Sequence, residues 1–110
     1  MKLRIYQIDL ELDEKRVAFR SYTEIQNQYG GRIPAELYRK AYEGTVEADN
    51  LEDVFYIFNM DHPGDYRARS LSMSDVVEII EGDDATFHIC DTFGFKEVSF
   101  DTSEVLEDLS

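Results

Sequence analysis

His62, His88 and Cys90 are the side chains best suited to metal binding or nucleophilic catalysis in this chain. His88 and Cys90 are two residues apart on a predicted strand, so they share one face of it. With His62 they could bind a metal, or His88 could activate Cys90 as a nucleophile. A metal would need further ligands from elsewhere, and nothing near Cys90 would orient the base. We therefore expect His88 and Cys90 to serve in packing and His62 to lie in the turn after a helix, with no catalytic residues, no metal and no cofactor.

Arg67 and Arg69 are basic residues in an otherwise acidic half of the chain. If the segment is extended, their side chains point to the same side. We expect them to neutralise neighbouring carboxylates, with anion binding as the alternative. Phe93-Gly94-Phe95 predicts a bend whose rings cap the core, and an exposed aromatic patch for a partner is the second interpretation.

The negative charge is concentrated in the second half of the chain. Residues 51–110 carry fifteen carboxylates against three basic side chains, whereas residues 1–50 carry nine against eight, giving a net charge of −13. This balance argues against direct binding to nucleic acid or to an anionic membrane, because both require clustered Lys and Arg. It favours a protein partner, for which the candidate acidic residues are Asp83, Asp84, Glu104, Glu107 and Asp108.

Length and composition predict one folded domain. The chain has 110 residues, of which 43% are hydrophobic and 13% aromatic, and this length suits a single domain. The single cysteine allows no internal disulfide and suits a reducing cytosol. Because no export signal or membrane-spanning segment is evident, we expect a cytoplasmic protein; its oligomeric state is left open.

The first third of the chain predicts a hairpin followed by a helix. Alternation predicts a strand over 3–12, covered on both faces at its start or shifted in phase by a bulge near Tyr6. A turn at 13–16 would lead into a second strand at 17–19. Ser21 and Glu24 have capping-box spacing, and Gly30 can end the helix predicted at about 22–29. Residues 37–48 fit a strand or a helix, and a strand is favoured.

The remaining segments complete an α+β fold. Apolar spacing predicts the main helix at about 51–60, ended before Pro63. Residues 76–80 and 86–92 predict a second hairpin, and 96–100 a further strand. The acidic tail 101–110 could form a weak helical turn. The expected architecture is a single domain with a mostly antiparallel sheet packed against two short helices.

Three segments carry a resemblance to a known family. Residues 51–63, 69–77 and 91–98 read LEDVFYIFNMDHP, RSLSMSDVV and DTFGFKEV. This order resembles the YodL-like domain family, closest over residues 51–98. The resemblance implies a small α+β module of Firmicutes-type bacteria, often encoded on conjugative or other mobile elements. It implies no reaction and no catalytic residues.

Two functions from different classes follow, and an enzyme is disfavoured. The first is a non-catalytic protein-binding accessory module of a mobile element. The second is an acidic nucleic-acid mimic that inhibits a basic, DNA-binding host-defence protein such as a restriction or CRISPR effector. The mimic predicts binding that weakens steeply with salt, whereas the interaction module predicts dependence on exposed aromatic residues.

Overall fold

The computed structural model describes residues 1–106 and contains five strands and two α-helices. The strands are β1 (Lys2–Ile8), β2 (Tyr38–Thr45), β3 (Val76–Glu81), β4 (Asp84–Asp91) and β5 (Gly94–Val98). The helices are α1 (Tyr22–Tyr29) and α2 (Leu51–Met60), with short 3₁₀ turns at Ala35–Leu37 and Thr102–Glu104. The sheet is antiparallel in the order β2-β1-β3-β4-β5. The predicted α+β fold, both helices and the strand at residues 37–48 are confirmed.

β1 lies in the sheet between β2 and β3 and is covered on both faces. Leu3 and Ile5 belong to one buried cluster, whereas Tyr6 and Ile8 belong to another. Because successive strand residues point to opposite faces, this explains why apolar residues occur at both parities. A bulge is also present near Tyr6, but the extra residue is Ala41 of β2. Burial on both faces is therefore the alternative that the structure shows, because a bulge in β2 leaves the alternation of β1 unchanged.

α1 covers one face of the sheet. Its first turn is capped by Ser21, whose Oγ accepts the Glu24 N–H at 3.3 Å, and it ends at Gly30 with a φ of 64°. Ile25 is fully buried and packs with Tyr38 and the other residues of what we call the α1-side core.

α2 covers the opposite face. Asn50 Oδ1 accepts the Asp53 N–H at 2.9 Å and so satisfies one free amide of the first turn. Val54 and Phe58 are fully buried in what we call the α2-side core. The Phe58 ring lies 5.0 Å from that of Tyr66, which joins the loop after the helix to this core.

The predicted first hairpin is wrong. β1 ends at Ile8, and residues 9–20 form turns instead of a second strand. The Asp13 carboxylate accepts the N–H groups of Val17 and Ala18, each at 2.9 Å, and these are the amides that a second strand would need. Both residues are buried in the α1-side core. β1 therefore pairs with the distant strands β2 and β3.

The acidic tail follows the outer edge of β2. After the 3₁₀ turn at Thr102–Glu104, the Leu106 N–H donates to the Tyr38 carbonyl at 2.9 Å. Leu106 also forms an isolated bridge with Arg39. The weak helical turn predicted for 101–110 is thus a short 3₁₀ turn, and the part of that prediction at 107–110 lies outside the described residues.

Candidate interaction surface

The side chains predicted to contact a partner are spread over the molecule. The β3–β4 turn and the β4–β5 turn lie at opposite ends of β4. They are about 24 Å apart, because β4 has eight residues. The acidic and aromatic candidates are therefore not neighbours. Arg67 and Arg69 lie in the loop between α2 and β3, Asp83 and Asp84 at the β3–β4 turn, Phe93 in the turn before β5, Phe95 in β5, Glu104 in the tail, and Glu107 and Asp108 outside the described residues.

Carboxylates gather where β1 begins. Lys2 pairs with Thr45 on one side and with Ile80 on the other, so the ends of β2 and β3 lie beside the start of β1. The chain leaves this end through the first turn of α2 and through the β3–β4 turn. These segments present seven carboxylates beside Lys2. We call this group of carboxylates the acidic end. They are Glu47, Asp49, Glu52, Asp53, Glu81, Asp83 and Asp84.

The two arginines of the loop have different roles. Arg67 Nη1 donates to the Gly64 carbonyl at 2.6 Å and is exposed. Arg69 Nη2 donates to the Ile8 carbonyl at 2.9 Å and lies 3.9 Å from Asp75 Oδ1. The expected neutralisation of a carboxylate therefore applies to Arg69, which ties the loop to the end of β1, while Arg67 bonds to backbone carbonyls.

Asp75 is a buried carboxylate beside Arg69. Its side chain is fully buried, and Oδ2 accepts the Ser72 N–H at 2.9 Å and Gln7 Nε2 at 3.1 Å. Within residues 1–106, Asp75 Oδ1 and Arg69 Nε have no hydrogen-bond partner. Burial raises the pKa of Asp75 to about 7, because a charge removed from water is disfavoured. The network fixes the loop between α2 and β3 against β1. It also makes the stability of the folded protein sensitive to pH.

His62, His88 and Cys90 do not assemble into a site. The His62 ring lies 5.6 Å from that of Tyr66, and His88 Nε2 lies 2.9 Å from Thr86 Oγ1. Cys90 is buried, and burial raises the pKa of its thiol to about 12, so the thiol stays protonated at neutral pH. In the described part of the chain, no three His, Cys, Asp or Glu side chains are grouped to hold a metal ion.

β5 forms an open edge of the sheet. It is the last strand in the order, and among the described residues its strand partner is β4. The opposite edge, β2, is partly covered because its first residue, Tyr38, accepts the Leu106 N–H. A strand at a sheet edge presents unpaired N–H and C=O groups that can bond to another chain.

Aromatic side chains lie beside this edge. Phe93, in the turn before β5, is 96% exposed. Phe55 of α2 is 42% exposed, and its ring lies 6.4 Å from that of Phe95 in β5. We call β5 together with these three side chains the β5 surface. Tyr56 and Met60, 61% and 72% exposed, extend apolar area over the outer side of α2.

The sequence indicated only part of this surface. Phe93 and Phe95 are candidates from the sequence, but the expectation that their rings cap the core is wrong for Phe93, which is exposed. Phe55 follows the apolar spacing of α2, and the structure places it at the border of the buried face. Tyr56 and Met60 were missed. Their i, i+4 spacing on the side of the helix away from Val54 was the available signal.

The comparisons with known proteins concern the family and not an activity. No helix within residues 1–106 is long and apolar enough to cross a membrane. No curated protein and no solved structure matches the chain significantly. The family model described as YodL-like domain matches residues 2–100, which include the five strands and two α-helices described within residues 1–106. The chain therefore belongs to the family of YodL-like domains.

Proposed function

We propose that this chain is a non-catalytic protein-binding module that contacts its partner through the β5 surface. The observation that carries the proposal is an open edge strand flanked by exposed aromatic rings. The family resemblance supports a role as an accessory of a bacterial mobile element, and the single cysteine suits a cytoplasmic setting.

The β5 surface combines two sources of binding free energy. Burying a phenylalanine as exposed as Phe93 contributes about 2 kcal/mol. Aromatic residues at the centre of an interface often dominate its affinity. The backbone groups of β5 add directional hydrogen bonds that a smooth apolar patch would lack.

The acidic end supports a second candidate function, mimicry of nucleic acid. From β2 to β4 this end spans about 14 Å, and duplex DNA of that length carries about eight charges. The seven carboxylates approach this density. The partner would then be a basic, DNA-binding protein such as a restriction or CRISPR effector. Phe93 and the open edge would have no role in mimicry, so the β5 surface favours the first function.

Site-specific crosslinking separates the two functions. The photoreactive p-benzoylphenylalanine replaces Phe93 in one variant and Asp83 in a matched control, and each is irradiated in a lysate of the source bacterium. We expect a specific crosslinked protein from position 93, with a yield that changes little between about 0.05 M and about 0.5 M salt. Specific crosslinks from position 83 alone, lost at the higher salt, would favour the mimic and contradict our proposal.

A further inference from the structure

We propose that β5 receives an extended segment of the partner as a sixth strand, and that this segment carries an apolar and a basic side chain two residues apart, on the same face of the strand. The proposal rests on the proposed function and specifies how the β5 surface binds. Three features carry the proposal: the direction of the backbone groups of β5, the side chains on the two faces of β5, and the net charge of the whole chain.

The alternation of backbone hydrogen bonds across the sheet shows which N–H and C=O groups of β5 point away from β4. The Cys90 N–H donates to the Asp75 carbonyl at 2.8 Å, so the even-numbered residues of β4 bond toward β3. The odd-numbered residues of β4 therefore bond toward β5, where their partners in register are Gly94, Lys96 and Val98. It follows that the N–H and C=O groups of residues 95 and 97 point away from the sheet.

The side chains of β5 leave this edge accessible. Lysine often guards an edge strand by projecting charge over it. Here Lys96 Nζ lies 5.2 Å from the centre of the Tyr22 ring, over the α1 side of the sheet. On the α2 side, Phe95 packs against Phe55. Glu97, two residues later in β5, projects from the same face and is exposed.

The side-chain types expected in the partner segment follow from Phe95 and Glu97, which share one face of β5. A residue of an added strand opposite Phe95 would meet aromatic carbon and should be apolar. A residue opposite Glu97 would meet a carboxylate and should be basic. Asp84 lies beyond the end of β5, where β4 extends past Val98, and would favour a further basic residue. The sequence of the partner segment is thus constrained at alternate positions.

A second copy of this chain fits the edge poorly. Each copy carries a net charge of −13, so association of two copies is opposed by long-range repulsion. Antiparallel pairing of two β5 strands centred on Lys96 would also place the two lysines opposite each other, which is unfavourable. A basic segment of a different protein has neither problem.

The test uses synthetic peptides and the full chain. The probe is the eight-residue peptide Val-Thr-Lys-Thr-Val-Thr-Lys-Thr, in which valine and lysine alternate along one face of the strand. The control, Val-Lys-Val-Lys-Thr-Thr-Thr-Thr, has the same composition but places valine and lysine on opposite faces. Two further versions of the probe carry N-methyl groups on one or the other set of alternate residues, which removes N–H donors from a single edge. Affinities are measured by fluorescence anisotropy, and the contact region is mapped by amide chemical shifts.

A protein variant tests the same bonds from the other side. Glu97→Pro removes an outward N–H without removing a bond to β4, and proline is tolerated at such edge positions. Glu97→Ala is the matched control, because it removes the carboxylate but keeps the N–H. We expect Glu97→Pro to weaken binding of the probe peptide about tenfold and Glu97→Ala about threefold. N-methylation of one edge of the peptide should abolish binding, and N-methylation of the other should not.

Each outcome decides between named alternatives. Equal binding of the probe and control peptides, with no effect of N-methylation, would show attraction by charge alone and overturn strand addition. Absence of binding by any peptide would overturn the stated partner chemistry. A wild-type dimer dissociated by Glu97→Pro would assign the edge to a second copy instead. In all three cases, a specific crosslink from position 93 to another protein would leave the proposed function standing.

Discussion

Replacing Asp75 by asparagine should remove most of the pH dependence of stability above about pH 4.5. Burial raises the pKa of Asp75 from 3.8 to about 7, although Ser72 and Gln7 donate to its Oδ2. The folded state therefore binds this proton more tightly than the unfolded state does. The contribution of Asp75 to the free energy of unfolding is then highest below about pH 4, falls as the pH rises from 4 to 7, and is constant above about pH 7.

The size of this effect follows from the shift. A change of about three pKa units corresponds to about 4 kcal/mol, of which about 3 kcal/mol falls between pH 4.5 and pH 8. Asp75→Asn keeps an acceptor oxygen for Ser72 and Gln7 but cannot ionise. The variant should lack this decline of about 3 kcal/mol, whatever its absolute stability.

Urea unfolding followed by circular dichroism at several pH values measures the effect. Subtracting the variant from the wild type cancels contributions from other groups, such as His88, whose pKa is lowered by burial. The exposed Asp83→Asn variant is the matched control and should follow the wild-type profile. A difference between wild type and Asp75→Asn that stays constant from pH 4.5 to pH 8 would refute the assigned burial of a titrating carboxylate.

Three further outcomes test the fold. Phe58→Ala should lower the free energy of unfolding by about 3–5 kcal/mol because the ring is fully buried, and a loss below about 1 kcal/mol would contradict the α2-side core. Asn50→Ala should cost about 1 kcal/mol through loss of the cap of α2, whereas Asn50→Asp should cost little; equal losses would argue against the cap. Cys90 should react with a thiol reagent only as the chain unfolds, so rapid labelling of the native protein would show that it is not buried.

The features predicted from the sequence are those fixed by nearby residues. α1 and α2 have their caps at Ser21 and Asn50, within four residues of the groups they bond to. The β3–β4 and β4–β5 hairpins are likewise local, because each is closed by a two-residue turn. Such signals are readable without knowledge of the rest of the fold.

The features that escaped prediction depend on contacts distant in sequence. The Asp13 carboxylate takes the amides of Val17 and Ala18, and local alternation cannot reveal that β1 instead pairs with β3. Arg69 bonds to the Ile8 carbonyl across 61 positions. The identity of the open edge also depends on strand order, which is a property of the whole sheet. The sequence could therefore identify Phe93 as a candidate but could not place it beside the open edge of the sheet.

The affinity of the crosslinked partner for two single variants tests the central claim most directly. Phe93→Ala removes the most exposed ring of the β5 surface and should change the free energy of unfolding by less than about 0.5 kcal/mol. Asp83→Asn removes a carboxylate of the acidic end. Isothermal titration calorimetry should show that Phe93→Ala weakens binding about thirtyfold or more, while Asp83→Asn weakens it less than about threefold. Unchanged affinity for Phe93→Ala together with a large loss for Asp83→Asn would contradict binding through the β5 surface.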